Sequence, residues 1–182
     1  MKTALLIIDM QNDYFQGGTM TLSGPETASK NAALVLDRFR TDGLPVVHIQ
    51  HIATNPAATF FLPGTLGAEI HKNVTPLEKE TVIVKHFPNS FRETGLSDYL
   101  QALNITVLVI CGMMTHMCVD ATTRAAKDAG YTCTVIGDAC ATKDLELNGQ
   151  KVKAKDVHIS FLAALNSFYS MVVPTKEYLN SL

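Results

Sequence analysis

The chain has 182 residues, of which 47% are hydrophobic and 18% charged, with a formal net charge of -2. This length and hydrophobicity predict one domain, spanning residues 1–182, with a continuous core. The small net charge argues against nucleic acid or an anionic membrane as a partner, and the longest apolar runs are shorter than the roughly 20 residues that cross a bilayer.

Short apolar segments rich in β-branched residues recur along the chain, at residues 4–9, 44–50, 81–85, 105–112 and 131–138, with a sixth candidate at 170–174. Continuously apolar strands are typical of a parallel sheet that is covered on both faces. Helical patterns fill the gaps at residues 26–42, 115–129 and 155–169. The alternation predicts an α/β fold with a doubly wound, mainly parallel sheet of five to six strands and right-handed crossovers.

Two stretches, residues 52–79 and 139–154, show neither pattern and are predicted to be loops over the sheet edge, with a turn at Asn148-Gly149. A loop of the first one's length is often functional. Its apolar Phe60-Phe61-Leu62 is expected either to line a pocket or to face another subunit.

Three strand ends carry reactive side chains. Asp9 ends the first strand, Lys85 ends the third, and the fourth leads through Thr115 to Cys118. Each alone is weak evidence, because an Asp after a strand usually forms a cap or turn and a lone Lys is usually solvated. Ligands bind at the carboxyl ends of the strands in such sheets, so the convergence of an acid, an amine and a thiol predicts a site.

Cys118 is the candidate nucleophile. Thr115 is expected to cap the helix and to place the thiol in its first turn, where the helix dipole favours a thiolate. Lys85 is expected to lower the pKa of the thiol, and Asp9 to accept its proton and return it to a leaving amine. The other cysteines are interpreted as small buried hydrophobic residues of a reduced, cytoplasmic protein: Cys111, Cys133 and Cys140.

The segments that carry these residues are LLIIDMQNDYF, KHFPNSF and GMMTHMCVDATTRAAKDAGYTCTVIGDACAT. They resemble the isochorismatase-like cysteine hydrolases, which include nicotinamidases and N-carbamoylsarcosine amidases, over nearly the whole chain. The resemblance implies a three-layer α/β/α fold, a catalytic triad of Asp9, Lys85 and Cys118, and a homo-oligomer. It also implies a cis peptide between Met113 and Met114, an oxyanion hole formed by the amides of Met114 and Cys118, and hydrolysis through a thioester.

Two features of the family pattern narrow the substrate. Family members that act on isochorismate lack a cysteine at the position of Cys118, which favours amide, carbamoyl or ureide chemistry here. Nicotinamidases carry a metal-binding D-x-H, whereas the matching stretch here reads His51-Ile52-Ala53. A metal held by His48 and His51 is the alternative, but residues three apart on a strand face opposite sides of the sheet and no acid lies nearby in the sequence, so no metal and no other cofactor is predicted.

Other polar and aromatic residues near the strand ends are weaker candidates. Phe15, Phe91 and His116 are assigned to the substrate pocket, although core packing or a structural hydrogen bond explains each equally well. His86 also adjoins a triad member. Asp138 is expected to hold a turn through nearby backbone N–H groups.

The leading hypothesis is a cysteine hydrolase that cleaves a small-molecule amide, carbamoyl or ureide substrate. An isochorismatase-type, ester or lactam hydrolase is the alternative within enzymes. A catalytically lapsed binding protein of the same fold is the alternative from another class, although such a protein should have lost one of the three triad residues. Dinucleotide binding is not supported, because DMQNDYFQGG lacks the required glycine spacing.

Overall fold

The computed structural model describes residues 2–181, which contain eight strands numbered in chain order. They are β1 (Thr3–Ile8), β2 (Val46–His51), β3 (Thr81–Lys85), β4 (Val107–Met113), β5 (Thr132–Ala141), β6 (Leu145–Leu147), β7 (Gln150–Val152) and β8 (Met171–Val173). Six of them form one parallel sheet in the order β3-β2-β1-β4-β5-β8. Strands β2 and β3 lie on one side of β1, and β4, β5 and β8 lie on the other, so the topological switch point lies between β1 and β4.

Five helices cover this sheet: α1 (Pro25–Thr41), α2 (Leu96–Ala102), α3 (Asp120–Asp128), α4 (Ala154–Phe168) and α5 (Thr175–Asn180). Buried residues of α1 and α5 pack on one face of the sheet, and those of α2, α3 and α4 pack on the other. This is the predicted three-layer α/β/α fold, which is confirmed. The helices α2 and α5 were not predicted, because with seven and six residues they are too short to show a helical period.

One of the two predicted loops contains regular structure. The end of β5 and an antiparallel hairpin of β6 and β7 occupy most of residues 139–154. Asn148 and Gly149 form the hairpin turn, with φ angles of 53° and 77°, as two-residue turns of this kind require. The hairpin strands are short and mostly exposed, so they show no apolar run.

The edge strand β3 departs from the expectation that every strand is covered on both faces. Ile83 packs against the core on one side, whereas Val82 and Val84 are 42% and 46% exposed on the other. The continuous apolar run is therefore not sufficient evidence for burial when a strand lies at the sheet edge. Among the described helices, none has the length and hydropathy of a membrane span.

Gly112 allows β4 to approach β1. Its φ is 139°, and a Cβ atom at this position would overlap the carbonyl oxygen of Ile8. We expect Gly112→Ala to lower the free energy of unfolding by about 2 kcal/mol or more, measured in urea. Gly130→Ala is the matched control, because Gly130 also has a positive φ, of 93°, but open space around it. Equal losses in the two variants would show that the close approach to Ile8 is unimportant.

Glu80 links three elements beside the sheet. Its side chain, 6% exposed, accepts hydrogen bonds from Arg40 at 2.7 and 2.8 Å and contacts Nε2 of His48 at 3.0 Å. Burial raises the pKa of Glu80, but the bonds from Arg40, the backbone of Leu77 and His48 outweigh burial and lower the pKa to about 2.

This depressed pKa makes stability depend on pH. Glu80 contributes on the order of 3 kcal/mol above its unfolded pKa of 4.5, and this contribution is lost as the pH falls toward about 2. We expect Glu80→Gln to lower the free energy of unfolding at neutral pH, and the difference from wild type to shrink across that acidic range. Urea unfolding of both proteins at several pH values measures this, and a constant difference would contradict it.

Candidate active site

The three strand-end residues meet at the switch point of the sheet. Asp9 directly follows β1, Lys85 ends β3, and Cys118 follows β4. The Lys85 Nζ lies 2.8 Å from Asp9 Oδ2, and the Cys118 Sγ lies within 4.8 Å of a carboxylate oxygen of Asp9. Asp9 and Lys85 are fully buried, and Cys118 is 5% exposed. An acid, an ammonium group and a thiol thus share one nearly dry environment.

The backbone of Asp9 is fixed by a hydrogen bond, while its carboxylate has few hydrogen-bond donors around it. Asp9 has a φ of 49°, a conformation that Asp tolerates better than most residues, and its backbone N–H donates to Ile49 at 3.0 Å. The Lys85 ammonium group, 2.8 Å from Asp9 Oδ2, also donates to the carbonyl of Pro88 at 2.9 Å. Besides Lys85 and the neighbouring thiol of Cys118, no donor within residues 2–181 reaches the carboxylate, which leaves it able to accept a proton.

Cys118 lies in an irregular turn between β4 and α3. Residues Thr115–Val119 form one π-helical turn, and the Met113–Met114 peptide bond before it is cis. The expectation that Thr115 caps the helix is wrong. Its hydroxyl donates to the carbonyl of Ala141 at 3.2 Å and shares a hydrogen bond with Nδ1 of His158 at 2.8 Å. Thr115 therefore ties the turn to β5 and α4 instead of capping it.

The local environment favours the neutral thiol over the thiolate. Burial raises the pKa of Cys118, Asp9 raises it further, and the opposing effect of Lys85 is smaller. The expected lowering of the thiol pKa by Lys85 is thus outweighed. For Lys85 itself, burial lowers the pKa, but Asp9 and Cys118 more than compensate and the pKa is raised, so the side chain stays an ammonium ion.

His51, at the end of β2, is a fourth polar group at this point. It is paired in register with Lys85, and its Nδ1 lies 4.0 Å from Asp9 Oδ2. His48 contacts Glu80 on the other face of the sheet, as predicted from the spacing. Asp9, His51 and Cys118 are close enough to share a metal ion, although the ammonium group of Lys85 on the same carboxylate opposes a cation there. The absence of a metal stays a prediction.

A cavity of about 270 Å³ adjoins His51. Its lining includes three aromatic residues and a second histidine: Phe60, Phe61, Phe87 and His86. The apolar loop was expected either to line a pocket or to face another subunit, and Phe60 and Phe61 line a pocket. His86 is oriented by a hydrogen bond between its Nδ1 and the carbonyl of Ile52 at 2.8 Å.

The three predicted pocket residues make other contacts, and Phe15 lines a separate cavity of about 860 Å³, so their assignment to the substrate pocket stays a prediction. Phe15 stacks on His71 with ring centroids 3.6 Å apart, and Phe91 packs near Tyr131 at 6.0 Å. His116 bonds through Nδ1 to Thr142 at 2.5 Å. None of the three is among the residues that line the cavity beside His51. Each makes the core or structural contact that was the alternative interpretation.

Asp138 also differs in detail from its expected role. Its carboxylate accepts hydrogen bonds from the backbone N–H and the hydroxyl of Thr175, both at 2.7 Å. It therefore fixes the start of α5, far along the chain, rather than a turn of its own segment.

Two buried residues of the segment after β1 organise the site and were not singled out from the sequence. Gln11 exchanges two hydrogen bonds with the backbone of His51, at 2.7 and 2.8 Å. Asp13 accepts from the backbone N–H of Phe61 at 2.7 Å and from the hydroxyl of Thr19 at 2.9 Å. The concentration of polar residues in QND, directly after a catalytic strand end, was the available signal.

Comparison with known proteins agrees with this architecture. An isochorismatase domain model matches residues 3–156. The chain is 54% identical to the uncharacterized isochorismatase family protein YddQ of Bacillus subtilis, over 98% of this chain and 99% of that protein. It is 34% identical to a streptothricin hydrolase of Streptomyces noursei, over 90% of this chain and 56% of that protein.

Solved structures show the same fold. A putative isochorismatase hydrolase from Oleispira antarctica superimposes with a TM-score of 0.95 at 50% identity, covering 98% of this chain and 96% of that one. N-carbamoylsarcosine amidase from Thermoplasma acidophilum superimposes with a TM-score of 0.82 at 25% identity, over 96% and 97% of the two chains. The chain therefore belongs to the isochorismatase family of hydrolases.

Proposed function

We propose that this protein is a cysteine hydrolase that cleaves a small amide, carbamoyl or ureide substrate through a thioester on Cys118. The observation that carries the proposal is the meeting of Asp9, Lys85 and Cys118 at one almost fully buried point. Buried charges are costly unless they are paired, and a buried ion pair beside a thiol is typical of a reactive site.

The acylation step follows from the positions of the three groups. Cys118 Sγ attacks the substrate carbonyl carbon while Asp9 accepts the thiol proton. Lys85 keeps its positive charge beside Asp9 and offsets the negative charge of the site. The backbone N–H groups of Met114 and Cys118, assigned from the family resemblance, would donate to the developing oxyanion. Asp9 then returns the proton to the departing nitrogen as the carbon–nitrogen bond breaks, and water later hydrolyses the thioester.

The cavity beside His51 is the pocket that we assign to the substrate; its lining includes His51 but not Asp9, Lys85 or Cys118. Its volume of about 270 Å³ is at or below the lower end of the range usual for drug-sized ligands. Phe60, Phe61 and Phe87 provide apolar walls. Relatives named as nicotinamidase and N-carbamoylsarcosine amidase act on small amides by name, which agrees with this size.

Ring opening of a lactam is the second candidate. The same thiol, acid and ammonium group would serve, but the nitrogen would stay attached to the product. Ammonia release therefore separates a primary amide, carbamoyl or ureide substrate from a lactam.

The test is ammonia release from a panel of primary amides, carbamoyl compounds and ureides, with Cys118→Ala as the blank. We expect release by the wild type that is absent from the variant. Lactams and esters are assayed in parallel by mass spectrometry of the product. Thiol-dependent turnover only of lactams would favour the second candidate, and turnover that survives in Cys118→Ala would overturn the thioester mechanism.

A further inference from the structure

We infer that the hydroxyl of Thr122 positions the Lys85 ammonium group by fixing the carbonyl of Pro88. The inference rests on the proposed catalytic triad and adds to it a positioning residue, which acts through Lys85 rather than on the substrate. It depends on the partners of the ammonium group, on what holds the Pro88 carbonyl, and on the place of Thr122 in the chain.

The Lys85 ammonium group has three partners. It donates to the carbonyl of Pro88 at 2.9 Å, lies 2.8 Å from Asp9 Oδ2, and borders the side chain of Cys118. An ammonium group has three N–H donors, so these partners can use all of them. In the proposed acylation step a proton moves from Cys118 to Asp9, and the carbonyl of Pro88 takes no part. It therefore holds the ammonium group in place while the other two partners change.

The Pro88 carbonyl is held by a contact with another element. Residues 86–95, between β3 and α2, contain no helix or strand, and the ladder between β2 and β3 ends at Lys85. The backbone N–H of Ser90 donates to the hydroxyl of Thr122 at 3.0 Å, and the two side-chain hydroxyls are 2.9 Å apart. The Thr122 hydroxyl also reaches the Pro88 carbonyl, in a longer contact of 3.4 Å.

Thr122 connects the lysine to the segment of the nucleophile. It lies in the first turn of α3, four positions after Cys118. Within residues 2–181, the hydrogen bonds of residues 88–92 go to Lys85, to Thr122 or to other residues of the same loop. The hydroxyl of Thr122 is thus the hydrogen-bonded link between α3 and the carbonyl that receives the ammonium group.

The neighbouring Thr123 provides a matched comparison. Thr122, Thr123 and Ser90 are all fully buried, so water cannot replace a lost partner. Valine in place of Thr122 keeps the shape of threonine but removes the acceptor of the Ser90 N–H and the contact with Pro88. The hydroxyl of Thr123 has no hydrogen-bond partner in the described part of the chain. Thr123→Val is therefore the same substitution, in the same helix, without a link to Lys85.

The test is the rate at which iodoacetamide alkylates Cys118 from neutral to alkaline pH, followed by peptide mass spectrometry. The thiolate is the form that reacts, and a displaced Lys85 stabilises it less. We expect Thr122→Val to be alkylated about 10-fold more slowly than wild type at neutral pH. Thr122→Ser, which keeps the hydroxyl, and Thr123→Val should stay close to the wild-type rate. Urea unfolding of each variant measures stability separately, since loss of the threonine methyl lowers it without removing the link.

Turnover gives a second measurement. With a substrate from the amide panel, Thr122→Val should lower kcat by about 10- to 100-fold, because a small misplacement of a catalytic group is costly. KM should stay within a few-fold of wild type, since Thr122 is not among the residues that line the cavity beside His51.

A Thr122→Val protein that is alkylated as fast as wild type would overturn the inference. Equal slowing in Thr122→Ser or Thr123→Val would also overturn it, because the loss would then follow from packing and not from the hydroxyl. Lys85→Met separates these results from a failure of the proposed function. If that variant too is alkylated at the wild-type rate, Lys85 does not act on the thiol and the triad itself is refuted. Alkylation needs no turnover, so the comparison does not depend on finding the substrate.

Discussion

Replacing Cys118 by alanine, Asp9 by asparagine, or both together is expected to lower kcat/KM by similar factors of about 10⁴ or more, because groups that act as one unit are not additive. Alanine removes the nucleophile. Asparagine leaves the neutral thiol without an acceptor for its proton, and burial, the largest cause of the raised pKa of Cys118, still disfavours the thiolate when the charge of Asp9 is gone. The measurement is kcat/KM on a substrate from the panel, for both single variants and the double variant.

Cys133→Ala is the control for this set. Cys133 is buried in β5, 3% exposed, and bonds only to the carbonyl of Tyr131 among the described residues, so its loss should leave kcat/KM within a few-fold of wild type. Multiplicative losses in the double variant would show that Asp9 and Cys118 act in separate steps. Retained activity in Asp9→Asn would show that another group accepts the thiol proton.

Lys85→Met is expected to lower the free energy of unfolding by about 3–5 kcal/mol, because it leaves the buried carboxylate of Asp9 without a counter-charge. Methionine keeps most of the length and volume of the lysine stem. The double variant Asp9→Asn with Lys85→Met removes both charges and should recover much of this loss while remaining inactive. Urea unfolding at neutral pH and the amide assay together measure the two effects.

The matched control is Lys79→Met, which removes an exposed ammonium group just before β3 and should change stability by less than about 0.5 kcal/mol. If Lys85→Met cost no more than Lys79→Met, the ion pair with Asp9 would be unimportant for the fold. If the double variant were as unstable as Lys85→Met, the loss would come from packing of the lysine stem rather than from the unpaired charge.

Asp9→Asn and Lys85→Met both change the contact between Asp9 and Lys85, and two different measurements report on it. Stability reports what the resting pair of Asp9 and Lys85 contributes to the fold, and activity reports what Asp9 does when Cys118 attacks. A buried ion pair is a weak source of net stability, since burying both charges costs about as much as their attraction returns. We therefore expect that the pair is retained for chemistry, which the stable but inactive double variant would demonstrate.

The candidate triad was predictable because strand ends are a local property. Continuous apolar runs indicated the strands; Asp9 and Lys85 end two of them, and Cys118 follows the fourth after Thr115 and His116. The parallel order of the sheet then brings these groups to one edge. The same rule applied to β2 indicates His51, but the prediction considered that residue only as a metal ligand paired with His48.

The cavity beside His51 was not predictable in the same way. Phe15, Phe91 and His116 follow strand ends, yet they pack on His71, near Tyr131 and against Thr142. The cavity is lined by the loop around Phe60 and Phe61, and the hydrogen bond from the Phe61 N–H to Asp13 is one of the contacts that hold this loop. These two residues are 48 positions apart, and no local pattern predicts their contact.

Sequence alone thus determined the alternation of strands and helices, the parallel sheet and the identities of three reactive groups, because apolar periodicity and strand ends are encoded in neighbouring residues. Tertiary structure decided the rest. The role of Thr115 depends on Ala141 and His158, and the position of His51 depends on Gln11. The raised pKa of Cys118 results from burial and from Asp9. Each of these depends on contacts between segments that are distant in the sequence and that come together only in the folded protein.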